Sequence, residues 1–315
     1  MTELTDFRFG FNNFGLRSRQ DFAEFCRTAE SYGYDVFVGT DHLGSASPFL
    51  ELLAAAEATE RVRVGTLTLN IGFWNPHLLA RDVATADLLT DGRLELGLGA
   101  GHMKWEFDAA GITWEPFTAR TDRLEKMIEE LGRLFAEPEY EQRAAARDQW
   151  DLPELKPVQR RGFGGSGPPL LIGGTGDRVL RLAARHADIL SLAGVNQEKG
   201  QPPGTFRLGT AAQADERVRF FREQTGERAA EVELNALVQA VMVTDDRRAA
   251  AEKIMAEHMP YFTVDEVLET PFLLIGTVRQ IAEQLRANRE RYGFTYITVH
   301  GPYMKAFGPV IEHLR

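Results

Sequence analysis

Short apolar runs alternate with longer amphipathic stretches along the whole chain. Eight of these runs have the length and composition of buried strands, and they cover residues 7–12, 35–39, 62–69, 93–98, 170–173, 188–192, 232–243 and 296–300. Parallel strands require helical crossovers, and a length of 315 residues suits one barrel of this kind. The pattern therefore predicts an α/β fold, a (β/α)8 TIM barrel with insertions after its strands, formed as a single domain over residues 1–315.

Helices are predicted between these strands. In residues 18–32 the apolar side chains recur at helical spacing, with Ser18 suited to the N-cap and Gly33 suited to end the helix. The same periodicity predicts helices over residues 76–89, 118–135 and 178–187. Each of them follows a predicted strand, as the barrel requires.

Three stretches interrupt the alternation. Residues 137–169 are polar and rich in proline and glycine, and we interpret them as an excursion within the domain. Residues 194–214 follow the sixth predicted strand, where loops line the mouth of such barrels, so they are a candidate lid; a surface insertion without function is the alternative. Residues 261–275 are apolar but irregular in pattern, and we expect them to cover the pocket or to contact a partner subunit in a homodimer.

Composition limits the partners of this protein. With 43% hydrophobic and 26% charged residues it is typical of globular proteins, and its formal net charge of -10 opposes attraction to nucleic acid or anionic membranes. Cys26 is the single cysteine, the first residues lack signal-peptide character, and no apolar run approaches the roughly 20 residues that cross a bilayer. We therefore expect a cytoplasmic protein that acts on a small molecule, without nucleic-acid or membrane partners.

The second predicted strand ends in a pair of ionisable residues, Asp41 and His42, at the expected mouth of the barrel. Histidine titrates near neutrality, so His42 could exchange a proton with a reacting group or bond an anionic cofactor atom. A structural cap is the alternative reading of this pair. We take His42 as a candidate catalytic residue and expect Asp41 to orient it.

The fourth and fifth predicted strands end in glycine-rich segments. Residues 97–101, with the sequence GLGAG, let the backbone approach a ligand closely, but they lack the further glycine of a dinucleotide-binding fingerprint. Residues 173–176, with the sequence GGTG, open into a predicted helix whose first amides could bind phosphate, with the Thr175 hydroxyl as a further donor. Tight turns are the alternative for both segments. Together they favour a phosphorylated ligand.

Metal ligation and serine hydrolysis lack their sequence motifs. The seven histidines form no His-x-x-x-His set, and no G-x-S-x-G elbow follows a strand. His300, at the end of the eighth predicted strand, is a further candidate for the pocket. We expect the largest pocket at the mouth to be bordered by Asn12, His42, Asn70, His102, Gly173, Gly174, Thr175 and Gly176.

These segments, taken in order, resemble the bacterial luciferase-like monooxygenase family of flavin- or deazaflavin F420-dependent barrel oxidoreductases. The longest matching segments are GYDVFVGTDH at residues 33–42 and DGRLELGLGAG at residues 91–101. Shorter matches lie at residues 61–66, 75–76, 106–107, 111, 120, 123–125, 172–176 and 187–188. The resemblance spans nearly the whole chain, and its ordered set of short motifs is specific although each alone is weak.

The resemblance implies an isoalloxazine-like ring at the mouth, with its phosphate-bearing tail at residues 173–176. It implies cofactor contacts from the strand exits, for which the candidates are Asn12, Asp41, Thr66, Leu67, Thr68, Asn70, Gly99, Gly101, Gly173, Gly174, Thr175 and Gly176. It also implies a nonprolyl cis peptide bond between Leu67 and Thr68 in a bulge of the third strand. His42 matches the histidine that lies beside the reacting ring in the F420-dependent sugar-phosphate dehydrogenase branch.

One position departs from the family pattern. Many relatives have tryptophan after the Gly-x-Gly segment and the sugar-phosphate branch has glutamate, whereas this chain has His102. His102 is therefore a second candidate proton donor, or a residue that stacks on the cofactor, and sugar-phosphate specificity does not transfer. Coenzyme F420 is the expected cofactor and FMN the alternative. The corresponding functions are an F420-dependent oxidoreductase and an FMN-dependent monooxygenase, with a noncatalytic ligand-binding relative as a third hypothesis.

Overall fold

The computed structural model describes residues 6–137, 140–198 and 200–315. The strands in these ranges are β1 (Arg8–Asn12), β2 (Val36–Gly39), β3 (Arg63–Thr66), β4 (Leu69–Asn70), β5 (Leu94–Gly99), β6 (Leu170–Gly173), β7 (Ile189–Leu192), β8 (Val195–Gln197), β9 (Phe206–Leu208), β10 (Glu233–Val238), β11 (Ala240–Val243), β12 (Leu273–Gly276) and β13 (Phe294–Val299). The helices are α1 (Arg19–Ser31), α2 (Pro48–Ala58), α3 (Pro76–Leu89), α4 (Lys104–Ala109), α5 (Phe117–Ala136), α6 (Glu141–Trp150), α7 (Asp177–His186), α8 (Ala211–Thr225), α9 (Arg247–His258), α10 (Val264–Glu269), α11 (Val278–Tyr292) and α12 (Met304–Leu314).

The predicted barrel is confirmed. Neighbouring strands pair in parallel in the order β3, β2, β1, β13, β10, β7, β6 and β5, and pairing of β5 with β3 closes the ring. The two-residue strand β4 continues β3 beyond a bulge and also pairs with β5. Because all strands around the ring are parallel, their carboxyl ends meet at one mouth, where such barrels carry their active sites.

The helices that the sequence predicts form close to the expected residues. At the start of α1 the Ser18 hydroxyl accepts a hydrogen bond from the Asp21 amide at 3.1 Å, and Gly33 follows the helix with φ +89°. The helices α3, α5 and α7 begin and end within one residue of the predicted limits. Capping and periodicity therefore sufficed to place these crossovers.

Two predictions along the chain are wrong. Residues 232–243 do not form one strand, because the chain leaves the barrel at Gln239, whose amide donates to the Phe272 carbonyl at 2.8 Å. From there β11 pairs in parallel with β12 in a separate two-stranded sheet. Residues 261–275 are not irregular, since they contain α10 and most of β12. A continuous apolar run shows burial but not the point at which a strand changes its partner.

Inward-facing side chains form layers inside the barrel. The layer at the amino ends of the strands is charged: Arg8 lies 2.5 Å from both Glu95 and Glu233, and Arg63 lies 2.7 Å from Glu95. An apolar cluster of Val36, Val38, Leu171, Ile189 and Tyr296 packs beside it, with the Tyr296 ring 4.6 Å from the Arg8 guanidinium. A polar layer of Ser191, Asn235 and Thr298 lies closer to the mouth. Alternation along β1 and β13 then places Asn12 and His300 in the topmost layer.

None of the helices in the described residues is both long and apolar enough to cross a membrane.

Candidate functional site at the barrel mouth

His42, just beyond β2, is held by a carboxylate from a different strand exit. Its Nδ1 atom lies 2.9 Å from Oε1 of Glu106, which is 1% exposed and also accepts the Leu43 amide at 3.1 Å. Glu106 occupies the first turn of α4, the short helix that follows the glycine-rich exit of β5. In the sequence, Glu106 is marked only as an acidic residue five positions beyond Gly101, among aromatic residues.

Asp41 does not orient His42, so that prediction is wrong. Its Oδ2 atom accepts hydrogen bonds from the Asn70 amide and from Nε1 of Trp74, both at 2.9 Å. Burial raises the pKa of Asp41, while the bonds from Trp74 and Asn70 oppose that rise. Neighbouring residues project in different directions, and Asp41 therefore braces the segment after the bulge instead of the imidazole.

The Glu106 contact decides which nitrogen of His42 carries the proton. An ionised carboxylate only accepts hydrogen bonds, so in the neutral imidazole the proton lies on Nδ1. The other nitrogen, Nε2, bonds to no protein atom in the described chain, and the side chain is 37% exposed. The arrangement therefore presents a proton acceptor to the mouth, backed by a buried carboxylate that can stabilise the imidazolium.

His102 lies beside His42 at the mouth. The two rings meet edge to face with centroids 5.4 Å apart, and Phe206 lies equally close, at 5.4 Å, to the His102 ring. His102 stays accessible through the open mouth, but the surrounding protein atoms lower its pKa to about 4; His42 and Arg120 add to the decrease and Glu106 opposes it. His102 is therefore neutral at pH 7.

The third strand carries the bulge that the resemblance implied, with a cis peptide bond between Leu67 and Thr68. Thr68 packs against β5, the neighbouring strand, and reaches β6 beyond it. A Cβ atom at Gly99 would lie 2.4 Å from the Thr68 hydroxyl, and one at Gly173 would lie 2.9 Å from its methyl group. These glycines therefore make room for Thr68. Thr66 is buried and its hydroxyl exchanges two 2.8 Å hydrogen bonds with the Gly97 backbone.

Asn70, at the end of β4, has a buried amide nitrogen without a protein partner. Its Oδ1 atom accepts the Gly72 amide at 3.1 Å and lies 2.4 Å from the position that a Cβ at Gly101 would occupy. A buried donor without a partner costs free energy, and a ligand oxygen would satisfy it.

Arg120 holds the exit of β5 from the side. Its guanidinium donates to the Gly101 carbonyl and lies 3.7 Å from the centre of the Trp114 ring. Burial lowers the pKa of Arg120 to about 10, with Glu115 opposing the decrease. The side chain stays charged at neutral pH and fixes the loop that carries Gly101 and His102.

The exit of β6 leads directly into α7. Gly176 is the N-cap and has no side chain to bond the first-turn amides, so these remain open to an anion. The Thr175 hydroxyl instead donates to Oδ1 of Asn196 at 3.2 Å. Gly174 has φ +149°, and a Cβ there would lie 2.8 Å from Val179. The glycines thus serve the tight turn and leave the first turn of α7 without a side-chain cap.

The candidate lid is a two-stranded antiparallel hairpin of β8 and β9. Phe206 on β9 packs on His102, and the Leu208 amide donates to the Tyr261 hydroxyl at 3.2 Å. The hairpin therefore links the exit of β5 to the segment before α10.

Cavity size does not identify the site. A cavity of about 330 Å³ lies on the outer surface between α8 and α11, lined by Asp215, Val218, Arg219, Arg222, Glu223, Arg291 and Tyr292. None of the strand-exit residues described above lines it. Within the described ranges, no three His, Cys, Asp or Glu side chains are arranged to hold a metal ion.

Comparison with known proteins agrees with this architecture. Residues 12–296 match the luciferase-like monooxygenase family. The chain is 34% identical over 125 residues to an F420-dependent glucose-6-phosphate dehydrogenase of Amycolatopsis mediterranei, covering 37% of this chain and 38% of that protein. It is 30% identical over 117 residues to the oxygenase component of a flavin-dependent trigonelline monooxygenase of Acinetobacter baylyi, covering 36% and 32%.

The chain thus spans less than two-fifths of the length of these curated relatives. Among solved structures, an F420-dependent secondary alcohol dehydrogenase in complex with an F420-acetone adduct superposes with a TM-score of 0.70 at 18% identity. That superposition covers 99% of this chain and 100% of the other, and it shows the shared fold.

Proposed function

Because the chain belongs to the luciferase-like monooxygenase family, we propose that it is an F420-dependent oxidoreductase that transfers a hydride between deazaflavin F420 and a small organic substrate. The observation that carries the proposal is the His42–Glu106 pair, which offers a proton acceptor at the mouth of the barrel. The relative from Amycolatopsis mediterranei is F420-dependent and supports the choice of cofactor. The flavin-dependent relative from Acinetobacter baylyi supports the alternative, an FMN-dependent monooxygenase.

The residues at the mouth fit a cofactor with a polar ring and an anionic tail. The unpartnered Asn70 amide offers a donor to the ring, and the uncapped first turn of α7 offers amides to a phosphate. We infer that the ring is held by Thr66, Leu67, Thr68, Asn70, Gly99 and Gly101, and the tail by Gly173, Gly174, Thr175 and Gly176. Asp41 and Asn12 support the site through the residues to which they bond.

F420 supplies two-electron hydride chemistry when bound. When an alcohol is oxidised to a carbonyl compound, its carbon-bound hydrogen would pass as hydride to oxidised F420, and its hydroxyl proton would pass to Nε2 of His42. Glu106 stabilises the imidazolium that forms, and the proton returns along the same path in the reverse reaction. Since His102 is neutral at pH 7, it adds no competing positive charge beside His42.

Titration of the purified protein with F420 and with FMN in separate experiments tests the cofactor assignment. We expect quenching of F420 fluorescence to saturate at a lower concentration than quenching of FMN fluorescence. Tighter binding of FMN would replace the proposal by the monooxygenase alternative. Binding of neither cofactor would refute both.

A further inference from the structure

Asn12 and His300 form a polar pair at the top of the barrel interior. The register of β1 and β13 pairs Arg8 with Tyr296 and Gly10 with Thr298, and the next inward positions are Asn12 and His300. Their side chains meet, with Nδ2 of Asn12 lying 3.0 Å from Nδ1 of His300. Asn12 is 2% exposed, so the pair is fixed by packing as well as by this bond.

The backbone determines the direction of this hydrogen bond. The Gly301 amide donates to Oδ1 of Asn12 at 2.9 Å, which leaves the Asn12 amide nitrogen facing His300 as a donor. Nδ1 of His300 must therefore accept, and in a neutral imidazole the proton then lies on Nε2. Burial lowers the pKa of His300, which keeps the ring neutral.

The second ring nitrogen of His300 remains available. Nε2 bonds to no protein atom in the described part of the chain and is not sealed from solvent. Phe14 is 62% exposed and lies against the ring, with centroids 4.9 Å apart. An accessible donor thus lies beside an exposed apolar ring.

We propose that Nε2–H of His300 binds an uncharged acceptor oxygen, a carbonyl or hydroxyl group, of the organic substrate, with Phe14 covering the adjoining apolar part. Asn12 is the positioning residue that fixes the tautomer. The assignment to substrate rests on the proposed function. Around the ring, β13 and β1 are three and four strands away from β6, whose exit we assign to the cofactor tail.

The charges nearby favour an uncharged ligand. Asn13, the residue after Asn12, donates to the carboxylate of Glu51 at 3.2 Å, and that carboxylate is 5% exposed. A buried carboxylate repels an anion, and a neutral imidazole cannot compensate for it. His42, on the other side of β1, offers an acceptor, so the two imidazoles present opposite hydrogen-bonding atoms to the mouth.

The test compares two ring compounds of the same shape, cyclohexanone and methylenecyclohexane, which lacks the oxygen. Each is titrated into the protein saturated with oxidised F420, and into the protein alone, and binding is followed by ¹⁵N spectra of the labelled histidines. We expect the proton of His300 on Nε2 in the wild type, and a shift of that signal with cyclohexanone. The His300→Phe variant should bind cyclohexanone roughly fivefold to tenfold more weakly, as expected for one neutral hydrogen bond. Methylenecyclohexane should bind both proteins equally.

Two further variants separate the donor from the packing. His300→Gln keeps an N–H donor and should restore most of the cyclohexanone affinity, whereas Asn12→Leu should give a mixture of His300 tautomers. Equal ketone affinity in wild type and His300→Phe, absence of ketone binding, or a wild-type proton on Nδ1 would overturn the proposal. If His300→Phe weakened the binding of F420 and left the binding of cyclohexanone unchanged, the assignment of His300 to the substrate would be overturned. If the wild-type protein does not bind F420, the proposed cofactor is refuted. The comparison of cyclohexanone binding by wild type and His300→Phe without F420 still tests the donor role of His300.

Discussion

Oε1 of Glu106 lies 2.9 Å from Nδ1 of His42, and these residues follow strands that are not neighbours in the ring. The bond joins the exit of β2 to α4, beyond β5. It fixes the ring tautomer and places a buried negative charge behind the atom proposed to accept the proton. Glu106 is therefore expected to influence catalysis more than cofactor binding.

The Glu106→Gln variant isolates that charge, because glutamine keeps an acceptor for His42 and for the Leu43 amide. We expect single-turnover hydride transfer to slow by roughly tenfold, less than the 10²- to 10⁴-fold loss expected for His42→Ala. The dissociation constant of F420 should change by less than about twofold, since binding does not create the imidazolium. Asp108→Asn, on the exposed side of α4, is the control and should leave both values unchanged. An unaltered rate in Glu106→Gln would contradict the assigned role.

Two glycines with similar φ angles distinguish the cost of a positive φ from the cost of a steric clash with Asn70. Gly101 has φ +75° and a Cβ there would lie 2.4 Å from Asn70, whereas Gly111 has φ +69° and open space. Gly111→Ala should reduce the free energy of unfolding by about 1–2 kcal/mol, from the backbone alone. Gly101→Ala should cost about 1–3 kcal/mol more and weaken F420 binding. Denaturant titration measures both variants, and equal losses would show that Asn70 yields without resistance.

The barrel and most crossovers could be predicted because apolar runs and helix caps are local signals. Ser18, for example, caps α1 through an amide three residues away. The partner of His42 could not be predicted, since Glu106 is 64 residues distant and only the folded barrel brings the two together. Asp41 was the nearer candidate along the chain, and it faces Trp74 instead.

The glycine-rich segments lie where the sequence predicts them, but the reason for the glycines was only partly predicted. Gly99 and Gly173 lie at the mouth, as predicted, but the atoms that exclude a Cβ there belong to Thr68. A glycine in the sequence indicates that some group approaches the backbone closely, but it does not identify whether that group is a ligand or a neighbouring side chain. The roles assigned to the site residues, and the homodimer, remain predictions.

The charged layer at the closed end of the barrel should carry stability. Arg8→Met would leave half-buried Glu233 without its cation, while buried Glu95 would keep Arg63. The loss should therefore be about 1–3 kcal/mol, below the roughly 3–5 kcal/mol expected when a fully buried ion pair loses one partner. Thermal and denaturant unfolding should show this loss, while the F420 affinity of folded protein stays the same. Arg81→Met, which removes an exposed ion pair with Asp82, is the matched control and should leave the free energy of unfolding nearly unchanged. Similar stability of the two variants would contradict a structural role for the layer.

His102 should make stability depend on pH. Its folded pKa of about 4 lies below the ordinary value of 6.5, so the unfolded chain binds more protons between these values. Wild-type protein should therefore lose stability as the pH falls through this window, and His102→Gln should lose less. Because His102 is accessible, we expect a relative gain for the variant of about 1–2 °C in Tm at pH 4.5. If the difference in Tm between wild type and His102→Gln is the same at pH 7 and pH 4.5, the imidazole of His102 takes up no proton on unfolding.

The layered interior makes the two ends of the barrel independent targets for engineering. Arg8 begins β1 and Asn12 ends it, so at about 3.3 Å per residue the charged layer and the mouth are more than 10 Å apart. Substitutions at such separations usually combine additively. Substrate preference can therefore be altered around His300 and Phe14, and the accompanying loss of stability offset by changes around Arg8, without redesigning the residues between them.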